Sequence, residues 1–172
     1  LIGIFIALVI DNGNEDRTDK RYLNQIFSSI NAELEESSID IQEKIPKQQV
    51  LIDSLKRYMN DETVSIFDII RKANGIHGPL IKNNSWKAIA NSKIELIEFE
   101  ILSALAELDE SKKSLESKKE RIVDFVVDNL KKTDQEKKEI FMLLNQEIIS
   151  TEKNLQFEIQ AFLKKESLPP TK

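Results

Sequence analysis

At 172 residues, with four Gly, four Pro and no Cys, the chain is sized for one domain, offers few places where a helix must stop, and excludes disulfides, thiolate metal sites and a lipid-modified cysteine anchor. A 40% hydrophobic fraction beside 32% charged residues and only 6% aromatics belongs to long amphipathic helices rather than to a sheet. The formal net charge of -5, with no basic face standing out, argues against nucleic acid, whose binding draws on Lys and Arg that release counterions.

The sharpest boundary lies at the N-terminus. Leu1, Ile2, Gly3, Ile4, Phe5, Ile6, Ala7, Leu8, Val9 and Ile10 form an unbroken apolar run that passes directly into DNGNEDR. A helix of this length rises only ~15 Å against a hydrocarbon core of ~30 Å, so the run reads as the membrane-embedded outer half of a span that begins upstream. Residues 11–17 are then the polar exit from the membrane. A signal peptide is one rival, but no A-x-A arrangement follows Ile10; an apolar segment docked into the protein's own core is another. The abrupt polar end and the lack of any charge within the run favour the membrane.

From Thr18 the apolar positions Leu23, Ile26, Phe27, Ile30, Leu34, Ile41 and Ile45 recur three and four apart, predicting a helix with one buried stripe. Pro46 interrupts it, yet Leu51, Ile52, Leu55, Tyr58 and Met59 resume the spacing, so the expectation is a kink and not a stop. If continuous, residues 18–60 make a stalk of about 65 Å. Asn60, Asp61 and Thr63 read as a turn before a short helix carrying Val64, Ile66, Phe67, Ile69 and Ile70, which ends before Asn74 and Gly75. GIHGPLIKNNS is then the one long loop. Ser85 or Asn84 is expected to cap a helix beginning at Trp86, and Asn91 to Lys93 to interrupt it.

A second long stripe runs through Ile97, Ile101, Leu105, Leu108, Leu115, Ile122, Val126 and Leu130. Thr133 with Glu136 has the form of a capping box, which starts a third long helix. Its stripe of Ile140, Phe141, Leu144, Ile148, Thr151, Leu155, Ile159 and Phe162 approaches the seven-residue repeat of packed helices, and residues 167–172 read as a disordered tail. The fold class expected is all-α: an antiparallel three-helix bundle over residues 18–166 with coiled-coil-like helices and a short extra hairpin, a four-helix count being the alternative.

Groups able to do chemistry are sparse. His77 is the sole histidine, and without Cys or a second His it makes no ordinary zinc site, so it reads as an exposed loop residue. Di-metal helical bundles need paired Glu-x-x-His motifs, which are missing; Glu33, Glu35 and Glu36, like Glu95, Glu98 and Glu100, read as solvated faces. Trp86 and Phe99 offer stacking surfaces, but aromatics at helical spacing more often belong to the core. The basic run Lys112, Lys113, Lys118, Lys119 and Arg121 could meet anionic lipid, whereas the interleaved Glu116 and Glu120 suggest pairing along a wet face. No catalytic residue, cofactor or metal is expected.

Two stretches resemble a family of uncharacterised single-pass membrane proteins of Gram-negative bacteria. In IALVIDNGNEDR, Asn12, Asn14, Glu15 and Arg17 match the family's membrane-exit segment, while Gly13 stands where its Trp would be. In SWKAIANSKIELIEFEILSALAEL, Trp86, Leu96, Leu102, Leu105 and Leu108 match a short Trp-bearing helix followed by a Leu-rich one, with Lys93 in place of a turn glycine. The resemblance implies a membrane anchor in the bacterial inner membrane with the helical domain on its periplasmic side, and no enzymatic activity. The functional expectation is a scaffold or interaction module. It would contact membrane lipid through its N-terminus, with a protein partner or a second copy of itself and no nucleic acid. The alternative is a membrane-proximal sensor that binds a small ligand and shifts a helix.

Overall fold

The computed structural model describes residues 13–91 and 94–166, with side chains from 17 to 164 inside those spans. They form α1 (Gly13–Arg57), α2 (Ile66–Lys72), α3 (Asn84–Ala90), a 3-10 turn (Ile94–Leu96), α4 (Phe99–Asn129) and α5 (Gln135–Glu166), with no strand among the described residues. The chain is all-α. The apolar run of residues 1–10, Asn12 and the tail 167–172 lie outside the described residues, and among those described no helix is long and apolar enough to cross a membrane.

The first helix starts at Gly13, five residues before the expected Thr18, so Asn14, Glu15 and Arg17 are helical. It carries through Pro46, which is exposed, so the carbonyl four residues earlier that loses its donor can turn to water. Nor is α1 a free stalk. Leu23, Phe27, Ile30, Leu34, Ile41, Leu51 and Leu55 are buried along nearly its full length and share one core with the other helices.

Helix α5 packs along both α1 and α4. It runs antiparallel to α1, pairing Lys138 with Tyr58, Gln48 with Glu152 and Ser38 with Gln156. It is also antiparallel to α4, as the short connection 130–134 requires: Phe125 stacks on Phe141 at 5.8 Å and Lys118 donates to the Thr151 hydroxyl at 2.7 Å. The stripes read from the sequence supply this core. Leu105, Leu108, Leu115 and Ile122 of α4 and Phe141, Ile148, Leu155, Ile159 and Phe162 of α5 are all buried.

Helix ends depart from the expected caps. Asp134, not Thr133, starts α5, its carboxylate accepting the Lys137 amide at 3.1 Å. The capping box stands instead at α2, where Ser65 and Asp68 each accept the other's backbone amide, and the Ser65 bonds hold Asp68 below the ordinary carboxylate value. The first turn of α2 also faces the end of α4: the amides of Ile66 and Phe67 donate to the Lys132 and Leu130 carbonyls at 3.0 and 2.9 Å. Donors left over at one helix start thus meet acceptors left over at another's end. At the end of α1 the Lys138 ammonium of α5 donates to the carbonyls of Tyr58 and Asp61 at 3.0 and 2.6 Å, a cation where the helix dipole favours one.

Candidate functional site

Glu33, Ser37 and Asp40 are spaced four and three apart on α1 and so lie on one face. Each accepts a backbone amide from the strap, residues 77–83, that joins α2 to α3, or from the first turn of α3 itself. Asp40 Oδ2 accepts the Leu80 amide at 2.7 Å, Ser37 Oγ that of Lys82 at 2.9 Å, and Glu33 Oε2 that of Ser85 at 3.1 Å. The Ser37 hydroxyl donates to the Glu33 carbonyl at 2.7 Å, which fixes its lone pairs toward Lys82. Glu33 therefore satisfies a first-turn donor of α3 from outside the helix, where neither Ser85 nor Asn84 caps it and Asn83 makes no side-chain cap bond. Of the acidic group read as solvated, Glu35 and Glu36 are exposed and Glu33 is not.

Helix α4 holds the other edge of the strap. Lys119 Nζ donates to the Pro79 carbonyl at 2.5 Å, Lys112 Nζ to Asn83 Oδ1 at 2.6 Å, and Asn83 Nδ2 to Asp109 Oδ1 at 2.7 Å. The basic run is thus divided in use. Lys112 and Lys119 hold the strap, Lys118 and Arg121 meet Glu147 of α5, and Lys113 pairs with Asp109 at 2.9 Å along its own helix. Burial pushes Asp40 and Asp109 up, but the Leu80 amide and Lys44 for the one, and Lys113 and Asn83 for the other, leave both below the ordinary carboxylate value. A side chain at Gly78 would put its Cβ 3.2 Å from Lys119 Cε, so the strap crosses close over that lysine.

Beneath the strap lies a buried polar pair. Gln48 of α1 donates from Nε2 to Glu152 Oε1 of α5 at 2.9 Å and to the His77 carbonyl at 3.1 Å. Glu152 is 0% exposed and Gln48 3%. The remaining acceptors, Gln48 Oε1 and Glu152 Oε2, are both buried without a partner. Burial pushes the Glu152 carboxyl up to about 7, against the Gln48 bond and the Lys119 charge that lower it. Burial likewise pushes Lys119 down, opposed by Glu152, Glu116 and Asp40.

His77 enters this arrangement through its backbone carbonyl and is half-buried, not fully exposed as its loop position suggested. Trp86 is half-buried against the core and lines, with Ile30, Leu34, Ile81, Leu105 and Leu155, an apolar cavity of about 20 Å³, roughly the size of one water. Phe99 is 80% exposed as the first residue of α4, which corrects the expectation that it joins the core. Arg17 is exposed, and Leu105 is buried. The sequence did not single out Gln48 or Glu152. Glu152 follows Thr151, the position assigned to the stripe, and its heptad spacing from Lys138 and Asn145, both also buried, was the available sign.

Among the described residues no group of three or more His, Asp or Glu is placed to hold a metal ion. What the cluster offers chemically is a carboxyl able to keep or release a proton inside the helix packing. No protein-family model, curated protein or solved structure matches the chain.

Proposed function

We propose that this chain is the helical domain of a single-pass protein of a bacterial inner membrane, lying on the periplasmic side as an antiparallel three-helix bundle that serves as a scaffold or interaction module. The anchor is the run Leu1 to Ile10, and the resemblance of its exit segment to the single-pass family supports the placement. The observation that carries the interaction role is the set of exposed apolar side chains on α4 and α5. Phe99, Val123 and Val127 of α4 and Leu143 and Phe157 of α5 are each at least 60% exposed on long helices whose other faces are committed to the core. Apolar side chains repeated along a helix pair are what a helical partner or a second copy would cover.

The sensor reading draws on the proton-binding cluster under the strap. It gains nothing from the apolar cavity, since about 20 Å³ is far below the few hundred Å³ that organic ligands occupy. The test is site-specific photocrosslinking from positions 99 and 157 in native membranes. A reproducible neighbour or self-crosslink at both is expected; monomer alone, with no repeated product from either position, would end the interaction reading.

A further inference from the structure

Gln48 and Glu152 already share one hydrogen bond, Nε2 to Oε1 at 2.9 Å, and each keeps one buried acceptor oxygen without a partner. Two unpartnered buried acceptors are costly, and an amide paired with an ionised carboxylate can never satisfy both, because neither remaining oxygen carries a hydrogen. A single proton on Glu152 Oε2 answers both. The acid hydroxyl then donates to Gln48 Oε1 while the amide donates to Glu152 Oε1, closing a reciprocal acid–amide ring. We propose that Glu152 and Gln48 share such a proton, and that its release to solvent frees the strap over residues 77–82 from α1 and α4.

The link to the strap is direct. The second hydrogen of Gln48 Nε2 holds the His77 carbonyl at 3.1 Å, and Lys119, whose charge acts on Glu152, holds the Pro79 carbonyl at 2.5 Å. When the proton leaves, Oε2 becomes a buried negative charge facing the unpartnered amide oxygen. Gln48 must turn or the site must take up water, and Lys119 gains a carboxylate in place of a carbonyl. Both donors that hold the strap's carbonyls are then drawn away from it.

The charged groups around Glu152 come from each packed element. Asp40 of α1, tied to Lys44 at 3.0 Å, opposes ionisation; Lys119 of α4, flanked by Lys112 and Glu116, favours it; His77 and Lys82, the latter paired with Glu36, are the titratable side chains of the strap. Desolvation outweighs the lysine and leaves the carboxyl poised at about 7. The folded-state value lies above the ordinary 4.5, so the stabilisation is complete below 4.5 and is lost as pH rises through about 7.

The experiment is a carbon NMR titration of the Glu152 carboxyl in the intact chain, together with hydrogen exchange of the Leu80 and Lys82 amides from pH 5.5 to 9. The expected midpoint lies near 7, with protection of both amides, corrected for intrinsic exchange, falling by up to roughly tenfold per pH unit from 5.5 towards 7 and levelling off above it. A midpoint below 5, or flat protection across the range, would overturn the proposal without need of any variant. In Glu152→Gln a second amide hydrogen replaces the acid proton, so protection should stay high at every pH; a wild-type fall in that variant argues the opposite. His77→Asn should keep the pH dependence, and its disappearance there would assign the effect to the histidine instead.

Discussion

The two sides of α5 are built differently. Toward α4 its fully buried contacts are apolar, the bonds of Lys118 and Arg121 to Thr151 and Glu147 lying at the partly exposed edge, in a hairpin whose short connection leaves little choice of direction, with Phe141 stacked on Phe125 and Leu155 and Ile159 beside Leu105 and Leu108 around the small cavity. Toward α1 the apolar run is broken by Lys138 and Glu152, each bonded to a named atom of α1 or of the turn that follows it, and the strap lies clasped between α1 and α4. Apolar contact is non-directional and supplies most of the stability, whereas a buried polar bond exists in one register and costs when it is missed. The α4 side therefore makes the hairpin, and the α1 side fixes where the first helix and the strap sit on it.

Several changes would break or sharpen that contrast. The largest effect should come from Phe141→Ala, which empties a fully buried ring site and should cost about 3–5 kcal/mol in urea unfolding. A loss under 1 kcal/mol would mean the hairpin core does not depend on that ring. Next, Lys138→Met keeps the buried stem of a 0% exposed lysine and removes the donor to two carbonyls at the end of α1. A loss of about 2–3 kcal/mol is expected, with exchange rising first around Tyr58 to Asp61.

The pH profile separates the buried carboxyl from the two half-buried ones. Glu152, raised in the folded state, withdraws its contribution as pH climbs through about 7. Asp40 and Asp109, both depressed, contribute above their ordinary 3.8 and withdraw as pH falls through their lower folded values. Stability should thus decline on both sides of a maximum between these ranges; a profile still rising from pH 6 to 9 contradicts the assignment for Glu152. Smaller again is Ser37→Ala, which leaves the Lys82 amide without its acceptor. It should cost about 1 kcal/mol and loosen the strap in hydrogen exchange while the Phe141 region stays protected. The smallest is Lys82→Ala: its pair with Glu36 is exposed on both sides, and the melting temperature should barely move.

How far the fold was legible depends on which side of this contrast a residue serves. Leu23 to Leu55, Leu105 to Ile122 and Phe141 to Phe162 announce themselves by helical spacing, because burial of a stripe depends only on which residues share a face. Glu33 and Lys119 have no such mark. In the sequence they look like any other Glu and Lys of a wet helix, and their bonds reach the Ser85 amide and the Pro79 carbonyl across 52 and 40 positions. The caps fail for a similar reason. The Thr133 and Glu136 pair has the right spacing, but Asp134 reaches the free amide one residue later, and Ser65 with Asp68 makes the box where an Asp stands for the usual Glu.

By itself the sequence determined that the chain is helical, where its long helices lie, which stripe of each is buried, and that α2 ends before Asn74 and Gly75, both of which take positive φ. These follow from local spacing and backbone preference, which need no knowledge of neighbours. Only the tertiary structure decided that α1 is a packed member of the core along its length, that GIHGPLIKNNS is a strap held on two edges, and that Gln48 and Glu152 meet beneath it. Those outcomes rest on directional bonds between residues as far as 118 positions apart, and a bond of that kind is set by where the helices bring two atoms together.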